Sequence, residues 1–422
     1  MPVENLGKVR RATSSLLQRC REGVEERARF QFSRWRARWS LRTVSIDQLL
    51  MGGECGIPAA KYARLVGDPL RPSTPIAASP HVKLLQQYEA IGPRLFEPGS
   101  FQLTAYYRNA LQCLDITGGY FDAHGENQIE AVARRFVDRY KDPGRPYVPV
   151  DGQSLPHEPI HVRPILYSDK FEIIDGQHRL AIAYMNGERQ VQVLPQRTTA
   201  LTPLQSLVLD VHSARGRREL CQPINSPELE KQWPVAHPCS DRLSKMRDFL
   251  SARGLLKSQQ TYLDLGSRYG WFVAEMRNLG FDAHGVERDP IAASLGPLVY
   301  RLKPEQISRT NCVRFLGETD NSFDVISCFS LLHRFALGHG AMTAEDFIRL
   351  IDRRTAKVLF LETGQNHEAR FRGRLSEWDA DFVESWLKKN TGFARTYRLG
   401  PADDARPPFG DRYARMLFAC VK

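Results

Sequence analysis

The 422-residue sequence predicts an α/β protein in two parts. Its C-terminal part is expected to form a seven-stranded, mostly parallel sheet, because short apolar runs alternate there with amphipathic runs of helical period. Its N-terminal half is expected to be an α+β domain, because residues 161–195 have the pattern of strand, strand, turn, helix, turn and strand. Hydrophobic residues at 42% and charged residues at 25% are typical of globular proteins.

The alternation of these patterns divides the chain into four predicted parts. They are a basic helical segment at 1–42, an N-terminal domain at 43–200 with an insertion at 52–160, a linker at 201–240, and a C-terminal domain at 241–422. Residues 52–125 are rich in Gly and Pro and have few periodic runs, so their role stays unassigned.

The first 42 residues contain eleven Lys or Arg and four Glu, within a chain whose net charge is +11. Apolar residues recur there at helical spacing and are followed by aromatic residues that alternate with arginines, which predicts a basic amphipathic helix. Such a helix packs on its own protein, lies on an anionic membrane surface or binds nucleic acid. The segment alone does not select one of the three.

No stretch approaches the roughly 20 apolar residues of a membrane-spanning helix, and residues 1–42 lack the apolar core of a secretory signal. We therefore expect a cytoplasmic protein, with peripheral membrane contact through 1–42 as an alternative. The eight cysteines form no C-x-x-C pair, so reduced thiols are expected, and no His or Cys spacing predicts a metal site.

Seven strands are predicted in the C-terminal part, at 261–266, 281–287, 313–317, 323–329, 357–363, 393–400 and 414–422. Helices are predicted between them and before the first strand, at 241–254, 270–280, 289–302, 343–355 and 378–392. Such alternation is typical of parallel strands with helices on both faces of the sheet.

The first of these strands ends in the turn Asp264-Leu-Gly266-Ser-Arg268-Tyr-Gly270. Gly266 permits a tight turn, and Gly270 begins a helix whose free N–H groups face a ligand at the end of the strand. Glu287 ends the second strand, where a carboxylate can accept two hydrogen bonds from a ribose diol. These residues predict a site for an adenosine-containing ligand.

The segments LDLGSRYGWF, GVERD and FDVISCFSLLHRF, with the two closing strands, resemble the class I S-adenosylmethionine-dependent methyltransferases over residues 241–422. The resemblance implies a Rossmann-like sheet and S-adenosylmethionine as cofactor. It places Asp264, Gly266 and Gly270 on the cofactor turn and Glu287 on the ribose. Arg268 stands where the family commonly has a glycine. A finer likeness, of SLLHRFALG and VLFLETGQNHE, is to methyltransferases of bacterial surface-glycan gene clusters.

Methyl transfer to a hydroxyl needs a base for its proton, and an imidazole that titrates near neutral pH can serve. His333 follows the fourth strand, on the side where an acceptor meets the cofactor, and is the first candidate base. His367, beside Glu368 after the fifth strand, is the second. The alternative for His333 is a structural histidine that caps a helix or bonds a backbone carbonyl.

A second site is predicted in the N-terminal half, where FEIIDGQHRLAIA joins a strand to a helix through one glycine. Gly176 forms the turn, and His178 and Arg179 stand in the first turn of the helix, which favours an anion. Asp175 is a candidate ligand for magnesium beside a bound nucleoside triphosphate. The alternative is a structural ion pair between Asp175 and Arg179.

The segment IIDGQHRLAIAYMNGERQVQV resembles the ParB/sulfiredoxin-like superfamily, and VSIDQLL fits the same fold. The resemblance implies a phosphate- or nucleotide-binding domain. Gln177 replaces the sulfiredoxin cysteine, which argues against sulfinic-acid repair. DNA binding is not expected, because 196–240 shows no clear helix-turn-helix.

The sequence thus predicts S-adenosylmethionine-dependent O-methylation of a small-molecule or glycan-linked acceptor by a chain that also holds a ParB-like domain. The alternative is a nucleotide-dependent switch or kinase that acts through the ParB-like domain, with the C-terminal domain regulatory or degenerate. The acceptor itself is not readable, because substrate contacts in such folds come from loops that share no motif.

Overall fold

A computed structural model describes residues 41–142, 159–211, 218–404, 406 and 414–422. The basic helix predicted at the N-terminus lies outside these residues, except for its last two positions. The chain divides into two compact units, Met1–Thr202 and Pro203–Lys422. In the described part of the chain, no helix combines the length and the apolar character that crossing a membrane requires.

The first unit contains five described helices and a five-stranded sheet. The helices are α1 (Ala59–Val66), α2 (Pro80–Ile91), α3 (Ala105–Thr117), α4 (Glu126–Lys141) and α5 (Gln177–Met185). The strands are β1 (Arg42–Ser45), β2 (Leu49–Leu50), β3 (Ile160–Pro164), β4 (Phe171–Asp175) and β5 (Gln190–Pro195), in the spatial order β1-β5-β3-β4-β2. The order β3, β4, α5, β5 matches the pattern predicted for 161–195.

The helices α1 to α3 lie in residues 52–125, where the sequence predicted loops and short helices such as 81–91 and left the role unassigned. Their apolar faces pack with α4, α5 and the sheet into one core that is rich in aromatic rings. The ring of Tyr106 is edge-on to that of Tyr120, at a centroid distance of 5.6 Å, and is stacked on Phe136 at 6.0 Å. Packing of the whole unit therefore stabilises helices whose local sequence gives only a weak signal.

The second unit contains the seven-stranded sheet and eight described helices. The strands are β6 (Thr261–Leu265), β7 (Asp282–Val286), β8 (Ile307–Ser308), β9 (Phe323–Phe329), β10 (Thr355–Glu362), β11 (Arg395–Pro401) and β12 (Met416–Val421). The helices are α6 (Pro203–Asp210), α7 (Ser240–Ala252), α8 (Trp271–Asn278), α9 (Pro290–Val299), α10 (Cys312–Glu318), α11 (Leu332–Ala336), α12 (Ala344–Arg354) and α13 (Ala380–Asn390).

The spatial order of this sheet is β11-β12-β10-β9-β6-β7-β8. β12 is antiparallel to both of its neighbours and the other pairs are parallel, which confirms the predicted mostly parallel, seven-stranded sheet. Successive side chains of β6 lie on opposite faces of the sheet. Tyr262 packs in one hydrophobic core with Phe249 of α7, and Leu263 packs in a second hydrophobic core with Phe347 of α12. Helices on both faces therefore bury the central strands.

The strand predicted at 313–317 is wrong. These residues lie in α10, where the side chain of Asn311 accepts the N–H of Val313 at 2.8 Å and so caps the start of the helix. The third strand is the shorter β8, which pairs with Gly285 and Val286. A run of five mostly apolar residues does not by itself distinguish a strand from a helix, and here the capping residue decides.

Residues 203–240, most of the predicted linker, lie in the second unit. Their described parts are α6 and a segment from 218 onward whose apolar side chains, including Leu220, Leu229 and Trp233, are buried. This segment also lines the cavity described below.

Candidate active site

A cavity of about 930 Å³ lies in the second unit at the carboxyl ends of β6, β7 and β9. Parallel strands bring their carboxyl ends to one edge of the sheet, so residues distant in sequence meet there. Asp264 and Gly266 from the end of β6, Glu287 from the end of β7 and His333 from α11 all line this cavity. The structure thus brings together four of the residues that the sequence assigned to the cofactor and the acceptor.

The turn after β6 has the backbone conformation that its glycines predict. Gly266 and Gly270 have φ of 75° and 83°. A Cβ on Gly270 would lie 2.7 Å from Cδ1 of Ile307, so this position requires glycine for space as well as for φ. Arg268 also has a positive φ, of 56°. The replacement of the family's usual glycine by arginine therefore leaves the left-handed backbone of the turn in place.

Glu287 is buried and both of its carboxylate oxygens are held by the backbone. Oε2 accepts the N–H of Arg268 at 3.0 Å, and Oε1 accepts the N–H of Asp289 at 2.9 Å. Each oxygen has a further lone pair, so the carboxylate can accept two more hydrogen bonds. This geometry suits a vicinal diol that donates one O–H to each oxygen.

Asp264 is buried at the inner end of the cavity. Its Oδ1 accepts the hydroxyl of Ser327 at 2.6 Å, and Ser327 Oγ lies 2.6 Å from the hydroxyl of Tyr262. Burial raises the pKa of Asp264 to about 7, because its charged form is costly away from water. A cationic group bound beside it stabilises the carboxylate, which suits the ammonium or sulfonium of a donor.

His333 is buried in the wall of the cavity, beside the ring of Phe371. Its Nδ1 accepts the N–H of Gly364 at 3.1 Å, so the neutral ring has its proton on Nε2. Burial, with Arg415 as the next cause, lowers the pKa of His333 to about 3. At neutral pH this side chain is an uncharged hydrogen-bond donor.

The second predicted base, His367, is exposed and does not line the cavity. The neighbouring Glu368 is buried and pairs with Arg415, whose Nε donates to Oε1 at 2.7 Å. The turn after β10 therefore directs the carboxylate inward and the imidazole outward. The structure does not bring His367 to His333 or to the cofactor turn.

Two buried arginines hold a second carboxylate behind the cavity. Glu362, at the end of β10, accepts Nη1 of Arg242 at 2.9 Å and Nη1 of Arg415 at 2.6 Å. Burial by itself raises the pKa of this carboxyl, but Arg415 and Arg242 outweigh burial and hold the pKa of Glu362 at about 2. This network joins the end of β10 to α7 and to the start of β12.

Sequence reasoning missed the contribution of residues 218–242, which it assigned mainly to a linker. The side chain of Gln222 accepts the N–H groups of Tyr269 and Trp271 at 3.0 and 3.4 Å, and so caps the turn before α8. His237 also lines the cavity, and burial, with Arg242 as the next cause, lowers its pKa to about 3. The apolar residues within this polar segment were the available signal that it packs on a domain.

The predicted N-terminal site is only partly assembled in the first unit. Gly176 has a φ of 109°, and Arg179 donates to Asp175 at 2.6 Å. His178 points into the core, where its ring stacks on Phe121 and Phe136 at centroid distances of 4.1 and 4.0 Å. Burial, with His81 as the next cause, keeps the pKa of His178 well below its usual range.

No group of three or more His, Cys, Asp or Glu side chains is arranged to hold a metal ion in the described ranges.

Comparison with known protein families gives a match within the C-terminal domain. Residues 236–394 match a family model described as a methyltransferase domain. A search of curated protein sequences finds no match.

Three similar solved structures are all methyltransferases or contain one. WbdD, described as a bifunctional kinase-methyltransferase, is 19% identical with a TM-score of 0.40, over 51% of this chain and 45% of its own. ChlM from Synechocystis PCC 6803, a magnesium protoporphyrin IX methyltransferase with bound SAM, is 17% identical with a TM-score of 0.32, over 43% and 78%. The methyltransferase domain of bacterial CtHen1-CN is 16% identical with a TM-score of 0.32, over 43% and 98%. The chain thus spans less than half the length of WbdD.

Proposed function

We propose that this S-adenosylmethionine-dependent methyltransferase methylates an oxygen atom of a small-molecule or glycan-linked acceptor. The observation that carries the proposal is Glu287, a buried carboxylate with both oxygens oriented by backbone N–H groups at the edge of a cavity of about 930 Å³. A carboxylate so placed is suited to hold the ribose diol of the donor.

The cofactor fits the residues present. The turn from Asp264 to Gly270 would face the methionyl part, and Glu287 would accept from the ribose. When bound, the cofactor supplies a methyl group on a sulfonium, which is already a good leaving group. The protein therefore has to position the acceptor oxygen in line with that methyl group, and the cavity walls perform this task.

In this proposal His333 donates a hydrogen bond that orients the methyl acceptor. The sequence predicts it as a base, but a group with a pKa of about 3, whose Nδ1 already accepts a hydrogen bond, is poorly suited to remove a hydroxyl proton. The pH profile of kcat/KM distinguishes the two roles. If His333 is a hydrogen-bond donor, the profile has no acidic limb from this residue near pH 6. If His333 is a base with an ordinary histidine pKa, the profile has such a limb, and the limb disappears in His333→Gln.

The glycan-linked acceptor rests on the likeness of SLLHRFALG and VLFLETGQNHE to methyltransferases of surface-glycan gene clusters. Incubation with labelled S-adenosylmethionine and a panel of sugars, sugar nucleotides and lipid-linked sugars tests this part. Label in an alkali-stable methyl ether of a sugar supports it. Label only in protein or nucleic acid overturns it.

The ParB-like assignment of the first unit is part of the same proposal. It is supported by the succession of β4, Gly176, α5 and β5 and by Arg179, which stands in the first turn of α5 with a quarter of its side chain exposed. A bound phosphate would take the place of Asp175 on this guanidinium. Titration with ATP and with CTP tests it: binding that Arg179→Ala abolishes supports the assignment, and no binding of either nucleotide overturns it.

Calorimetry with S-adenosylhomocysteine tests the main proposal. We expect binding to the full chain and a loss of at least tenfold in Glu287→Ala, because the ribose loses its acceptor. The matched control is Asp282→Ala, which removes an exposed carboxylate at the other end of β7. Equal affinity in wild type and Glu287→Ala contradicts the proposal. Tight binding of a nucleoside triphosphate alone favours the alternative, a nucleotide-dependent switch or kinase.

A further inference from the structure

We propose that the acceptor bears a phosphate group and that Arg268, Arg288 and Arg334 bind this group at the cavity. The inference rests on the proposed function, because it assigns the acceptor class of the same cavity. It adds three side chains of the same cavity to the groups assigned to the donor.

The three arginines come from three different elements. Arg268 lies in the turn after β6, Arg288 directly follows Glu287 after β7, and Arg334 lies in α11 after β9. All three line the cavity. Their convergence is produced by the parallel sheet, whose carboxyl ends place these turns side by side.

These guanidinium groups lack a hydrogen-bond acceptor among the described residues. The other two arginines of the cavity differ, because Arg242 pairs with Glu362 at 2.9 Å and Arg370 pairs with Glu368 at 2.9 Å. These two cavity arginines thus have carboxylate partners. Arg268 is half-buried and Arg288 and Arg334 are exposed, so these three charged groups stay accessible to an anionic ligand.

The mutual effect of these charges is visible at Arg334. Burial and then the nearby Arg268 and Arg288 lower its pKa, with Glu287 as the acid that opposes them. Glu287 already accepts two backbone N–H groups and is assigned to the ribose. A donor with a sulfonium adds positive charge to the same cavity. An anionic acceptor therefore relieves repulsion that a neutral acceptor leaves in place.

A phosphate fits this arrangement better than a carboxylate. Each guanidinium presents a planar set of N–H donors, and three of them offer more donors than the two oxygens of a carboxylate can accept. A phosphate monoester has three free oxygens and accepts paired N–H groups from arginine. The three arginines thus match the three free oxygens in number.

The test uses the full chain saturated with S-adenosylhomocysteine and titrated with inorganic phosphate at low ionic strength. We expect binding that weakens as salt is added, and a loss of at least tenfold in Arg334→Gln and in Arg288→Gln. The matched control, Arg349→Gln, removes an exposed arginine outside the cavity and should bind phosphate as the wild type does. S-adenosylhomocysteine affinity, measured separately, should stay within twofold in all three variants.

Four outcomes overturn the inference. The first three are the absence of phosphate binding to the loaded wild type, equal phosphate binding in wild type, Arg334→Gln and Arg288→Gln, and acetate binding as tight as phosphate. Phosphate binding that S-adenosylhomocysteine abolishes also overturns it, because the arginines would then hold the donor's carboxylate. If the protein binds phosphate through Arg334 but does not bind S-adenosylhomocysteine, the result contradicts only the proposed function. The failure of the proposed function and the failure of this inference are therefore distinguishable.

Discussion

The backbone N–H of Arg268 donates to Oε2 of Glu287 at 3.0 Å. This bond joins the turn after β6 to the end of β7, the two segments that the proposed function assigns to S-adenosylmethionine. Because this N–H belongs to the backbone, the hydrogen bond does not depend on which side chain occupies position 268. Arg268 has a left-handed φ of 56°.

Arg268→Gly should therefore leave the affinity for S-adenosylhomocysteine within about twofold of wild type. Glycine adopts this φ without the roughly 1 to 2 kcal/mol that a side chain costs, but it loses roughly 0.5 to 1 kcal/mol in backbone entropy. The free energy of unfolding should thus change by less than about 1 kcal/mol. Calorimetry and urea unfolding check both values. A tenfold loss of affinity would show instead that the guanidinium holds the donor.

Gly270→Ala should destabilise the second unit more than Gly266→Ala does. Both positions have a positive φ, which costs alanine roughly 1 to 2 kcal/mol. At Gly270 the new Cβ also overlaps Ile307, which adds roughly 1 to 3 kcal/mol, whereas at Gly266 it makes an ordinary 3.7 Å contact with Leu331.

Gly317→Ala is the control for this pair. Gly317 lies in α10 with no atom near the added Cβ, so alanine should stabilise by about 0.5 to 1 kcal/mol. Urea unfolding followed by tryptophan fluorescence measures all three variants. The ranking is refuted if Gly266→Ala loses as much as Gly270→Ala.

The stability of the second unit should depend on the protonation of Asp264. Burial raises its pKa to about 7 in the folded protein, against about 3.9 in an unfolded chain. The unfolded chain therefore releases this proton at lower pH. The stabilising contribution is complete below about pH 4 and is lost as the pH rises to about 7.

Asp264→Asn removes this dependence. The wild type should lose on the order of a few kcal/mol relative to Asp264→Asn between about pH 4 and about pH 7. Urea unfolding at a series of pH values measures the difference. Parallel curves of unfolding free energy against pH for the wild type and Asp264→Asn would mean that the burial of Asp264 does not penalise its charged form.

Glu362→Gln should be strongly destabilising, by about 3 to 5 kcal/mol, because two buried arginines lose their shared carboxylate. In the wild type, Arg415 and Arg242 hold the pKa of Glu362 at about 2, below the roughly 4.3 of an unfolded chain. Its contribution is thus present above about pH 4.5 and is lost as the pH falls toward 2. The control Glu318→Gln breaks an exposed ion pair and should cost less than about 1 kcal/mol. Similar losses for both variants would exclude a buried network.

His178→Phe should make the first unit less sensitive to mild acid. The folded protein keeps His178 neutral, while an unfolded chain protonates it near pH 6.5, so the wild type loses stability as the pH falls below about 6.5. Phenylalanine keeps the stack on Phe121 and Phe136 but loses the bond to the hydroxyl of Tyr106, worth about 1 kcal/mol. Hydrogen exchange of peptides from α2 and α5 between about pH 5 and about pH 8 measures the change. An unchanged pH dependence would show that His178 is not the titrating group.

Local patterns in the sequence were sufficient to predict much of the second unit. The apolar runs of β6, β7, β9 and β10 predicted the central strands, and Gly266 and Gly270 predicted a tight turn and the start of a helix. These features depend on residues close in sequence. The misplaced strand at 313–317 has the same origin, since a short apolar run is ambiguous until a capping bond such as that of Asn311 forms.

Other features came from packing between distant parts of the chain. Arg242 and Glu362 are 120 residues apart, yet their ion pair closes the back of the cavity. The hydrogen bond from Gly364 sets the tautomer of His333, and stacking on two phenylalanines turns His178 away from a ligand. Hydrophobic periodicity and turn-forming residues are properties of positions close in sequence, so they can be recognised from the sequence alone. Burial, pKa and hydrogen-bond partners depend on which surfaces meet, so they exist only in the folded protein.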